Sequence, residues 1–139
     1  MIGEIFAIIS AILWGIAPIL DRYALSAGAP IYTALAIRAF GALSATLLIV
    51  ALLRETDLNF GLNSLTALLI AGAIGGALAM IFYYKALDLI GASKTVPITA
   101  IYPMFTALFS IILLSESITL KTFIGIVFIV IGVILVSEV

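Results

Sequence analysis

Charged residues are so sparse in this chain, and so bunched, that they leave five apolar stretches, at residues 2–20, 31–53, 65–84, 95–114 and 123–136. An α-helix rises about 1.5 Å per residue, so about 20 apolar residues match the ~30 Å hydrocarbon core of a bilayer. Inside that core no water is available to pair with the backbone, and a spanning segment of this kind must satisfy itself as a helix. The expected fold is therefore all-α: a polytopic membrane protein with a bundle of five transmembrane helices, forming a single membrane domain over residues 1–139. Composition supports this. Of the 139 residues 65% are hydrophobic and 9% charged, whereas soluble domains carry roughly a quarter charged residues. So few charges cannot cover a water-facing surface.

Turn formers and charges mark the breaks. They are Asp21-Arg22 with Ser26-Ala27-Gly28-Ala29-Pro30, Arg54-Glu55-Thr56-Asp57 through Gly61-Leu62-Asn63-Ser64, Lys85 to Lys94 with Gly91, and Glu116 to Lys121. Short connections make consecutive helices antiparallel neighbours. Ala27-Gly28-Ala29 resembles a signal-peptide cleavage site, but the first stretch opens on Glu4 rather than a basic region and stays apolar for a membrane thickness. The first span is expected to be retained.

Several functions are excluded by what the chain lacks. Six Lys and Arg against seven Asp and Glu give a net charge of −1, so no basic field exists to hold nucleic acid. There is no Cys and no His, which removes disulfides, thiol nucleophiles, the usual zinc ligands and the usual proton shuttle near neutral pH. Neither an enzyme activity, a metal nor a cofactor is expected. The partners expected are a small-molecule substrate and the lipid bilayer. Loop charges decide orientation poorly: Arg22, Lys85 and Lys94 fall on one side, Arg54 and Lys121 on the other. So even a balance permits insertion in both orientations, and equally a single topology set by other features.

Helical projection, at about 100° per residue, places Thr95, Thr99, Tyr102, Thr106 and Ser110 on one stripe of the fourth helix. A polar stripe in a membrane helix either lines a hydrated path or bonds to neighbouring helices and its own backbone. Pro97 and Pro103 remove backbone donors from the same helix, so a kink or unwound turn is expected, and interrupted helices are where transporters place binding sites. Ser10, Trp14 and Asp21 form a smaller polar face on the first helix beside Pro18. Trp14 either offers a flat ring to an organic solute or fills space between helices. Arg38 lies about 10 Å inside the second span, on a face shared with Ala34, Gly41, Ala42 and Ala45. It either points into the bundle, as a functional charge that would hold a carboxylate or another acceptor, or snorkels to the near interface and pairs with Asp21. Gly72, Gly76, Ala79 and Tyr83 give the third helix a small-residue packing face, with Tyr83 and Tyr84 at its end. Gly125 and Gly132 do the same for the fifth, which has no polar side chain between Phe123 and Val136.

Taken in order, Leu13-Trp14-Gly15 with Pro18, Arg38, Tyr84-Lys85-Ala86-Leu87, Pro97, Tyr102-Pro103, Ser115-Glu116, Gly125 and Gly132 resemble the EamA domain of the drug/metabolite transporter superfamily. The resemblance covers essentially the whole chain and is to the single-domain, five-span type. It implies one half of a transporter, since most such proteins fuse two domains of opposite orientation around a central cavity. The working unit it implies is a homodimer, inverted in the membrane, or a complex with a partner half. The four-span multidrug relatives have a final helix similar to the Gly125–Gly132 pattern that forms their dimer seam. They also rely on an acidic residue in the middle of the first span. Here Glu4 stands near its start and Asp21 at its end, with no acid between.

The expected function is secondary transport or export of small metabolites, neutral or anionic and amino-acid-like, by alternating access in the cell membrane. Trp14, Arg38, Thr99 and Tyr102 are the principal path-lining candidates, joined by Ser10, Tyr83, Thr95 and Thr106. Pro18, Pro97 and Pro103 are the bending points, and Asp21 is the candidate coupling carboxylate. The alternative is a membrane subunit that functions only with a partner half or another protein.

Overall fold

The computed structural model describes residues 2–54 and 61–137. The expected turn over residues 55–60 lies outside the described residues. Five helices long and apolar enough to cross a membrane are present among them: α1 Ile2–Ser26, α2 Ile31–Leu53, α3 Leu62–Ile90, α4 Ala92–Leu114 and α5 Leu120–Ser137. No strand occurs among the described residues. The chain is thus a multi-pass membrane protein. The helices outrun the apolar stretches: α1 continues through Asp21 and Arg22 to Ser26, and α3 through Lys85 and Asp88 to Ile90. Charges that end a hydrophobic run do not end a helix, because the backbone ladder continues into the interface where charged side chains are solvated.

Local chemistry explains the ends. After α1 the Ala29 N–H donates to the Ala24 carbonyl and the Gly28 N–H to Leu25, with Gly28 at φ +92°. This is the paired closure that a left-handed residue after the last turn allows, and Pro30, extended at φ −63° and ψ 136°, starts α2 directly after it. Thr119 caps α5: its Oγ1 accepts the Thr122 N–H at 3.1 Å, satisfying a donor that the first turn leaves free.

Two helices are irregular. Within α3, residues Gly72–Leu78 are π-helical, and the Ala79 N–H donates to Ile74, five residues back. Three of these seven residues are glycines, which hold the regular α geometry least firmly. The wider turn rotates the remainder of the helix, so the small-residue face drawn through Gly72, Gly76, Ala79 and Tyr83 at α-helical pitch is turned within the segment. In α4 the helix stops at Thr99 and restarts at Tyr102. Pro103 has no N–H to donate to the Thr99 carbonyl, and the Met104 N–H turns to Ile101 at 3.0 Å. The helical repeat breaks at Ala100 and Ile101, between the two prolines. Pro18, by contrast, sits inside an unbroken α1.

The chain divides into two compact units, Met1–Asp88 and Leu89–Val139. In the first, burial is confined to one end: Pro18 and Leu25 of α1 with Tyr84 and Leu87 of α3 are buried, while α1 before Ala17 and α3 before Met80 are exposed. In the second, α4 packs along α5, mainly through its first segment, and Thr95 and Val133 are buried. The wide apolar exposure elsewhere suits a solvent of lipid chains, which are as apolar as the side chains they meet.

Candidate functional site

The buried end of the first unit is also its most polar place. Antiparallel passage brings the last turns of α1, the first turns of α2 and the last turns of α3 to one side, and each contributes charge or a hydroxyl. Asp21 stands near the end of α1 with its side chain 12% exposed. Its Oδ1 accepts the Tyr84 hydroxyl at 2.7 Å, and Tyr84 is itself 1% exposed. Its Oδ2 lies 3.5 Å from Arg38 Nε of α2. Among the described residues that oxygen is buried without a hydrogen bond, so the Arg38 contact is ionic attraction at a separation long for a hydrogen bond. Such a group would be costly in lipid alone; between a phenol and a guanidinium it is compensated.

A second tie lies one residue on. Arg22 Nη1 reaches Asp88 Oδ1 at 3.3 Å and donates to the Asp88 backbone carbonyl at 3.1 Å. Both side chains are more than a third exposed, 37% and 50%, so this pair contributes roughly 0–1 kcal/mol, chiefly as orientation of α1 against α3. Tyr83 is half-buried beside the network, its ring tilted 56° to that of Tyr84 at 6.4 Å.

Thus Asp21, Arg38 and Tyr83 of the expected site residues are brought into one neighbourhood. Trp14 lies two turns before Asp21, 66% exposed, and Ser10 bonds back to the Phe6 carbonyl at 3.0 Å. Among the described residues the indole of Trp14 has no hydrogen-bond partner. The groove between α2 and α3 takes in Gly76 with Tyr32, Ala36, Ala39 and Ile81, and holds ≈ 220 Å³. Gly72 stands at the start of the π-helical segment, and at neither glycine would a Cβ meet another part of the chain within 4 Å.

The second unit carries the remaining candidates. Thr95 is 1% exposed, and among the described residues its Oγ1 has no hydrogen-bond partner. Thr99 bonds to the Val96 carbonyl at 2.9 Å, immediately before the break. Tyr102, 57% exposed, opens the second segment with Pro103. Thr106 and Ser110 line a ≈ 320 Å³ groove with Phe109, Leu113 and Leu114, and Ser110 bonds to the Ala107 carbonyl at 3.1 Å. The polar residues are thus divided between the two segments of an interrupted helix, Thr95 buried and Thr99 and Tyr102 exposed, with Thr99 and Ser110 turned onto their own backbone. Gly125 and Gly132 of α5 likewise leave open space where a Cβ would stand.

The partners that projection of single helices misses are Tyr84, Arg22 and Asp88. A signal existed: Tyr84 and Asp88 are four apart, hence on one face of α3, and adjacent Asp21 and Arg22 offer the complementary pair at the end of an antiparallel span.

Comparison with known proteins agrees with this architecture. The EamA-like transporter family matches residues 1–138. An uncharacterized transporter of Clostridium kluyveri is 28% identical over 133 residues, covering 95% of this chain and 42% of that protein. The chain therefore spans less than half the length of this curated relative. No solved structure matches.

Proposed function

This chain belongs to the EamA-like transporter family, and from that premise we propose that it carries small organic metabolites, amino-acid-like solutes among them, across the cell membrane by alternating access. The observation that carries this reading is the family match along residues 1–138. The interrupted α4 supports it, because an unwound turn presents backbone polar groups only where it borders protein or a hydrated cavity. So does the Asp21–Arg38–Tyr84 cluster, a charged group set within membrane-crossing helices.

In this proposal one five-helix domain is half of the working carrier, and the other half is a second copy in the opposite orientation. Gly125 and Gly132 then serve at the seam, where the absence of side chains lets helices approach closely. The path is lined by Trp14, Arg38, Thr99 and Tyr102, with Ser10, Tyr83, Thr95 and Thr106 flanking them. Pro97 and Pro103 provide the bend on which α4 moves, Pro18 a further bending point in α1, and Asp21 a carboxylate for coupling. A second reading has its own support: the C. kluyveri relative is more than twice the length this chain covers, which favours a partner half that is not identical.

The test is solute movement by the purified chain alone. In proteoliposomes, exchange of labelled amino acids against an internal pool of the same solute is expected above protein-free vesicles. Exchange that appears only after a second membrane protein is added would replace the homodimer by the partner-half reading.

A further inference from the structure

The guanidinium of Arg38 is used only in part. Its Nε faces Asp21 Oδ2 at 3.5 Å, its side chain is 42% exposed, and it has no other polar contact among the described residues. A guanidinium carries five N–H donors in a fork shaped for a carboxylate, so both Nη groups are left with their donors unspent. Asp21 cannot close on that fork, because its other oxygen is held by the Tyr84 hydroxyl at 2.7 Å and the residue is nearly enclosed. The result is a mismatched pair: a buried acceptor without a hydrogen bond beside a donor-rich cation that is half open.

We propose that Asp21 stands in for the carboxylate of the transported solute, and that the solute binds by taking the Arg38 fork while Asp21 remains on Tyr84. The proposal rests on the transport reading and names its substrate class: small monocarboxylates, amino acids included. Charge sets the limit. The guanidinium is already faced by one carboxylate, so a zwitterionic amino acid adds no net charge and a monocarboxylate adds one, whereas a phosphate dianion adds two where solvation is poor and is the most disfavoured. Tyr84 is then a positioning residue that governs how firmly Asp21 competes.

The experiment is counterflow in proteoliposomes with the labelled common L-amino acids and L-lactate, and with lactamide and choline as solutes without a carboxylate. Protein-free vesicles fix the baseline for each solute. For a carboxylate that the wild type exchanges, Asp21→Asn removes the competitor and lowers KM by about three- to fivefold, the worth of a partly exposed ion pair, with kcat changed less. Tyr84→Phe frees Asp21 to turn to Arg38 and raises KM. Asp88→Asn removes the same charge nearby without touching Arg38 and leaves KM unchanged. KM unaltered in Asp21→Asn, or lowered equally in Asp88→Asn, overturns the proposal. If Asp21→Asn does not fold, Tyr84→Phe decides alone, and an unchanged or lowered KM sinks it. A wild type that exchanges only lactamide or choline leaves the transport reading intact and removes this one; a wild type that by itself exchanges nothing removes both the homodimer carrier and this proposal.

Discussion

Leu87 and Leu89 stand two positions apart on α3 and differ as much as two leucines can: one is 0% exposed, the other 82%. In a membrane the difference is packing rather than removal from water, since lipid chains solvate leucine well. Leu87→Ala is expected to leave a cavity and cost about 2 kcal/mol, seen as a lowered thermal midpoint in detergent. Leu89→Ala should leave the midpoint near that of the wild type. Equal midpoints would mean that the packed end of the first unit does not exist in solution. Gly91 gives a different kind of residue-scale prediction. It sits at φ +75° and ψ 171°, a conformation essentially reserved for glycine, and no atom would obstruct an added Cβ. Gly91→Ala should therefore cost about 1–3 kcal/mol from the backbone alone, read in the same thermal assay.

At the scale of the element, α4 is the helix whose regularity the chain gives up. Its break at Ala100 and Ile101 comes from two prolines, one in each segment, and from the turn of the Met104 N–H to Ile101. Pro97→Ala with Pro103→Ala restores both missing donors and should join the segments into one helix. If the unwound turn is where solute passes, the double variant loses most of its exchange activity while remaining folded and membrane-inserted. Full activity in a folded double variant would show that the break is incidental. The π-helical stretch of α3 is a comparable irregularity with a different origin. Glycine pairs mark it in the sequence, yet glycines in membrane helices far more often signal close packing, and nothing in their spacing distinguishes the two.

For the whole molecule the question is orientation. Loop charges are nearly balanced between the two sides, and the chain contains no cysteine, so a single introduced one reports cleanly. Ala27→Cys places a thiol in the exposed connection between α1 and α2. An inverted homodimer exposes that position on both faces of the membrane, and an impermeant maleimide should label it from either side. Labelling from one side only would rule out the inverted pair and leave a parallel assembly or a partner half.

The solvent this chain folds in was legible in its residues alone. Five apolar stretches parted by bunched charges dictate five helices in lipid, because the bilayer offers the backbone no other partner. The proline pair in α4 and the turn at Gly28 were legible for the same reason, each being a local consequence of a residue's own covalent geometry. Arg38 could be singled out as an intramembrane charge, but two answers stood open for where it pointed. Only the packing of three antiparallel helix ends brought Asp21 between Arg38 and Tyr84, and joined Arg22 to Asp88. Those contacts link residues 63 and 66 positions apart for the two hydrogen-bonded pairs, and helical periodicity carries no information about which helices meet or at what rotation. The sequence determines that a segment spans the membrane; tertiary structure decides which of its few polar atoms find one another.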